Sequence, residues 1–273
     1  RGPHTSPISL LVNVHTIDSE QDAEDYIARL NNLPDYFDGV IEQIQIRMDK
    51  GLYLVDWMIP QIVASAGNVL VGAPFDESGL PSVIWADFND KLAALKVEPA
   101  IADQLREGAR QAMLTAVKPA YKRLIAAVQS QQAVAPQEDG VWRFPDGDAF
   151  YANRLRDFTT TNLTPEAIHQ AGLANVERLH QEMRSVMDEL GEEGELSAFL
   201  DRVRNDESLR YDNTEAGRSA YLDAARAAID RMAERLPDYF GLLPQSDLIV
   251  KRVEAYREQS AGKAFYQSPP PDR

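Results

Sequence analysis

Thr164-Pro165-Glu166-Ala167-Ile168-His169-Gln170-Ala171-Gly172-Leu173 is the stretch that decides the fold class. A threonine hydroxyl accepts a hydrogen bond from an otherwise unpaired N–H of a first helical turn. Proline suits the first helical position, where no N–H is needed, and an early glutamate complements the positive end of the helix dipole. From this start the periodicity predicts a helix to about Leu190, closed by Gly191. Leu173, Val176 and Met183 fall on one stripe of it, with His169 and His180 at the margin.

Working outward, the same grammar repeats. Residues 214–236 read as an Ala-rich helix ended by Pro237. Towards the N-terminus, Ser19 caps a first helix with Asp22 at the capping-box position and Tyr26, Ile27 and Leu30 as apolar positions. Pro34 opens a second, in which Val40, Ile41, Ile44 and Met48 recur at helical spacing before Gly51. Helices are also predicted over 57–70 and 84–95, with a loop from Gly72 to Pro81 between them. A long helix runs from about Glu98 to Ala133, with Pro119 expected to kink or split it. Residues 134–147 hold Pro136, Gly140, Pro145 and Gly147 and read as a connection, the best position for an internal boundary.

After Asp247 the period changes. Leu248, Val250 and Val253 alternate with charged residues, with Ile249 breaking the pattern, and predict one short strand, and Ala264-Phe265-Tyr266-Gln267 a second. The expected fold is mainly α, a multi-helix array with a short β element near the C-terminus. Leu33-Pro34-Asp35-Tyr36-Phe37 recurs as Leu236-Pro237-Asp238-Tyr239-Phe240, but the flanks differ, so chance or two similar helix starts explain it better than a duplication.

Composition narrows the function classes. The net charge of -15 over 273 residues argues against a nucleic-acid backbone or an anionic lipid surface as partner. With no cysteines, disulfides, thiolate nucleophiles and thiolate zinc sites are excluded. No apolar run reaches transmembrane length. Arg1-Gly2-Pro3-His4 is neither a signal peptide nor a natural start, and the chain closes on Pro269-Pro270-Pro271-Asp272-Arg273, so both ends read as cut from a longer protein.

Candidate chemistry is sparse. The four histidines are His4, His15, His169 and His180, and no HExxH occurs. His169 and His180 share a helix face but lie about 16 Å apart along it, whereas zinc ligands sit about 2 Å from one ion. Glu192-Glu193-Gly194-Glu195 reads as a solvated turn, and Thr159-Thr160-Thr161 as a capping segment before the Thr164 helix, although a threonine run can also present hydroxyls to a ligand.

A more specific signal spans Trp142 to Met183. It comprises Trp142-Arg143-Phe144-Pro145-Asp146-Gly147, Tyr151, Leu155-Arg156, Thr159-Thr160-Thr161-Asn162-Leu163-Thr164-Pro165-Glu166, Ile168-His169, Gly172-Leu173, Val176 and Glu182-Met183. This resembles the bacterial family called domain of unknown function 885. The tail Ala264–Arg273 is similar to the segment shortly before that family's metal motif, and the likeness runs through the whole chain in order. The resemblance implies a helical zinc metallopeptidase of the gluzincin type, in which two histidines and a glutamate hold zinc and another glutamate activates water. None of those positions exists in this sequence, so no ligand or general base is carried over, and zinc is implied only for the longer protein. An exported, periplasmic or lipid-anchored location is also implied by resemblance, with a cytoplasmic one left open.

On that reading the chain is the non-catalytic helical part of a peptidase-like protein. It forms a wall of the cleft for a peptide substrate and self-associates through its uncovered face. Tyr266 and Gln267 on the terminal strand are candidates for peptide contact, because an edge strand binds an extended peptide through its backbone. Arg156 is a weaker candidate, suited to clamp a carboxylate or to make a structural ion pair. The competing reading is a helical binding or scaffold protein without catalysis, whose acidic surface meets a basic partner.

Overall fold

The computed structural model describes residues 2–254, 258, 261, 262 and 264–266. The chain divides into two compact units, 1–139 with 253–273, and 140–252.

In its named elements the first unit is all helical. It runs α1 (Ser6–Asn13), α2 (Glu20–Asn31), α3 (Leu33–Asp49), α4 (Met58–Asn68), α5 (Val83–Leu95), α6 (Pro99–Ala112), a π-turn over Met113–Val117, and α7 (Lys118–Gln129). The rod formed by α6, the π-turn and α7 is the axis of this unit, and α2, α3, α4 and α5 pack along it, with α1 against α5. Its core joins Ile8 and Leu11 of α1, Tyr26 and Leu30 of α2, Phe37 of α3, Ile59 of α4, Ile84, Phe88 and Leu92 of α5, and Met113, Val117 and Tyr121 of the rod.

The rod survives Pro119. Proline has no N–H to give and its ring collides with the carbonyl four residues back. Here the N–H of Lys118 reaches five residues back, to the carbonyl of Met113. The helix widens by one residue instead of breaking. Buried positions continue across the change, through Ala109, Met113, Val117, Ala120 and Tyr121.

Ser19 caps α2 by accepting from the N–H of Asp22 (3.2 Å). The reciprocal bond is altered: the shorter aspartate carboxylate accepts from the N–H of Asp18 (3.1 Å) and the hydroxyl of Ser19 (2.8 Å). Between α4 and α5, Gly72 takes φ +94°, and a Cβ there would lie 2.5 Å from the N of Ser82. The Asp76 carboxylate ties this loop by accepting from the N–H groups of Gly72 and Ser78, each at 2.9 Å.

The second unit holds a 3₁₀ turn (Val141–Arg143), α8 (Gly147–Thr159), α9 (Pro165–Glu189), α10 (Leu196–Asn205), a 3₁₀ turn (Glu207–Leu209), α11 (Glu215–Ala233) and a final 3₁₀ turn (Leu236–Asp238). Thr164 caps α9 by accepting from the N–H of Ala167 at 3.2 Å. Thr214 caps α11 by accepting from the N–H of Gly217 at 3.1 Å. Gly217 also presses against the preceding turn, where a Cβ would meet the carbonyl of Asp212 at 2.0 Å. Helix α9 packs on α10, and Glu192 just past α9 is paired with Arg202 of α10.

The fold is mainly α, and the expected β element near the C-terminus is not seen among the described residues. Residues 248–254 and 264–266 carry no strand, and the single β pairing among the described residues is an isolated bridge between Ala73 and Pro81. An alternating pattern becomes a strand only where a second strand supplies the ladder. Instead, the carbonyl of Val250 accepts from Arg226 (3.1 Å) and Arg252 pairs with Glu215 (3.3 Å). The sequence reading also passed over α1, α8 and α10, none of which has a side-chain hydrogen bond at its N-cap.

Candidate functional site

Two helices of the second unit carry exposed apolar residues on one side. Along α9, Leu173, Val176, Leu179, Met183 and Val186 are exposed. At 100° per residue these five occupy one side of a helix about 37 Å long. Of the apolar residues of α9, Met187 is the one that is buried. On α8, Phe150, Arg154 and Phe158 recur every four residues, with Tyr151 beside them, and Phe158 is 78 % exposed. Arg154 bridges Asp157 (3.0 Å) and lies 4.9 Å from the Phe158 ring. Trp142, in the turn before α8, is 70 % exposed.

The sequence candidates fall as follows. Arg156 lies on α8, roughly opposite the Phe150–Arg154–Phe158 face, exposed, with no guanidinium hydrogen bond or ion pair among the described residues. It makes no structural ion pair there. Tyr266 is 70 % exposed and outside any strand. Gln267 lies outside the described residues. Arg156 belongs to the second unit and Tyr266 to the first.

The threonine run is spent locally. The hydroxyl of Thr159 donates to the carbonyl of Leu155 (2.7 Å), that of Thr160 to the carbonyl of Thr159 (2.7 Å), and Thr160 takes a left-handed φ of 54° as the α8 cap. His169 is exposed and His180 half-buried on α9. Among the described residues no three His, Cys, Asp or Glu side chains converge as a metal needs. The donor set among the described residues does not fit a zinc ion.

Sequence reasoning missed a polar cluster inside the first unit. The hydroxyl of Tyr26, read there as an apolar position, donates to the Asp87 carboxylate (2.9 Å), which also accepts from Lys91 (2.8 Å). Lys91 further donates to the carbonyls of Leu11 (2.8 Å) and Val12 (3.3 Å), so an ammonium from α5 caps the end of α1. Burial raises the Asp87 carboxyl above the usual range, against the pull of Lys91 and Tyr26. Burial and the neighbouring Asp87 charge push the Tyr26 phenol far up, so it stays a donor. The available signal was the spacing of Asp87 and Lys91, an i,i+4 pair on an amphipathic helix.

Comparison with known proteins fixes the class of the chain. It belongs to the family described as "Bacterial protein of unknown function (DUF885)", whose model matches residues 1–273. Its fold is similar to "the crystal structure of the putative lipoprotein from Colwellia psychrerythraea", with a TM-score of 0.87 and 20 % sequence identity over 98 % of this chain. The chain spans 46 % of the length of that protein. No functionally curated protein matches it.

Proposed function

We propose that this chain is the non-catalytic helical part of a zinc-dependent peptidase-like protein, forming a wall of the cleft that receives an extended peptide. The observation that carries this reading is the exposed apolar stripe along α9, with a second, aromatic one on α8. A stripe of that length left bare marks a surface on which something packs. The similar structure is more than twice as long as the part this chain matches, and on this reading a corresponding further part packs on that face. The metal ligands and the base of the reaction lie, on this reading, in that further part. Tyr266, Gln267 and Arg156 remain the candidates for peptide contact. The description of the similar protein as a lipoprotein supports export or lipid anchoring.

The test compares residues 1–273 with a longer product of the same gene, each assayed on a peptide panel with and without added zinc. Zinc-dependent turnover by the longer product alone is expected. The shorter chain is expected to self-associate, seen by sedimentation as a concentration-dependent rise in mass that Leu173→Glu with Val176→Glu abolishes. Metal-dependent turnover by residues 1–273, or none by either product, overturns the proposal.

A further inference from the structure

Helix α1 is held at its C-terminal end by a cluster whose chemistry depends on one uncharged imidazole. The backbone N–H of His15, just past α1, donates to the carbonyl of Leu10 (2.9 Å). Its ring is engaged on both sides. Nδ1 faces the Nη1 of Arg29 on α2. A guanidinium only donates, so Nδ1 is an unprotonated acceptor. Nε2 then carries the proton and donates to the carbonyl of Asp22 (2.9 Å). The edge of Tyr26 packs on the ring at 5.0 Å between centroids, with Asp87 behind its hydroxyl. Lys91 of α5 stands close enough for its charge to be felt.

A second proton at Nδ1 would place an N–H against the Arg29 guanidinium, with the Lys91 ammonium adding to the repulsion. The Asp22 carboxylate and carbonyl pull the other way. Burial decides the balance: it disfavours the imidazolium, and the ring is held below the usual histidine range.

We infer that His15 is an acid-sensitive clasp, and that its protonation breaks the Arg29 contact and frees helix α1 from α2 and α5. Ile8 and Leu11 of α1 are fully part of the first unit's core, so opening exposes apolar surface on both sides of the joint. Because the folded-state value is depressed, the stabilisation is complete above the ordinary histidine value of about 6.5 and is lost as pH falls from there through the folded value. Over that interval each unit of acidification multiplies the opened population by up to about tenfold.

Hydrogen exchange on the full chain between pH 7.5 and 5.0, corrected for the intrinsic rate, tests this. Protection of the α1 amides is expected to fall selectively on acidification, while the α6–α7 rod keeps its own. His15→Gln, which cannot titrate, is expected to show no such fall. His4→Gln is the control: His4 lies before α1, bonded to the Ser65 hydroxyl at 3.1 Å and also depressed by burial, and this variant is expected to keep the acid response. A pH-independent α1, an acid response retained in His15→Gln, or one lost in His4→Gln overturns the inference. Should His15→Gln fail to fold, the imidazole resonance of the unaltered protein decides. A His15 value below 6.5 with α1 signals titrating alongside supports the clasp, and a value at or above 6.5 refutes it.

Discussion

Leu33-Pro34-Asp35-Tyr36-Phe37 and Leu236-Pro237-Asp238-Tyr239-Phe240 are the same five side chains in the same order, one copy in each unit. The first copy opens the 17-residue helix α3, with Leu33 and Phe37 buried and the Phe37 ring 4.7 Å from that of Tyr121. The second makes one 3₁₀ turn and leaves Phe240 59 % exposed. Local propensity is identical, so the difference comes from what surrounds each copy. The first unit offers a rod to pack against, whereas in the second the copy finds no apolar partner that buries it. The pentapeptide thus separates a finished core from an unfinished one.

The largest way to break this contrast is truncation at the two phenylalanines. Phe37→Ala is expected to cost about 3–5 kcal/mol, the usual toll for emptying a packed aromatic site. Phe240→Ala is expected to stay within about 0.5 kcal/mol. Urea unfolding of both variants measures it, and equal losses would mean that Phe240 is covered in solution.

A smaller effect is expected inside the first unit. Lys91→Ala leaves Asp87 half-buried without its cation and uncaps α1. A loss of about 2–3 kcal/mol is expected, below that of a deeply buried pair because both side chains keep some contact with water. Lys91→Ala combined with Asp87→Asn should recover part of it. A double variant as unstable as the single one would show that the carbonyl caps, not the carboxylate, dominate.

The smallest expected effect sharpens the contrast from the other side. Leu173→Glu on α9 should change stability by no more than about 0.5 kcal/mol, because the leucine is already half in water. Thermal unfolding at low protein concentration checks this. A loss of several kcal/mol would place Leu173 in a core.

The legible parts of the fold were those with a local cause. Ser19 and Thr164 each accept from an N–H three residues on, and proline and glycine punctuate α3 and α9 where the pattern predicts. Helices α1, α8 and α10 have no side-chain cap to mark their starts, and they are short, at 8, 13 and 10 residues, so little periodicity announces them. The strand expected after Asp247 failed for a related reason, since alternation states which faces a strand would have but not whether a neighbour exists. The candidate site was less legible still. Tyr26 looked apolar because only folding brings Asp87, sixty-one residues away, to its hydroxyl. Arg156 earned attention from its motif, yet the face that stands out on α8 is the aromatic one across from it.

The π-turn at Met113–Val117 makes the length of the chain at that point a matter of phase. The wide turn spends one residue more than an α-turn in going once round, so removing one residue there would let it close as ordinary α-helix with Tyr121, Leu124 and Val128 still on the core side. Pro119 would then have a carbonyl pressed against its ring. The same deletion a turn later, within the regular helix α7, would instead rotate everything after it by about 100° about the axis and slide it back about 1.5 Å, taking Val128 out of the core.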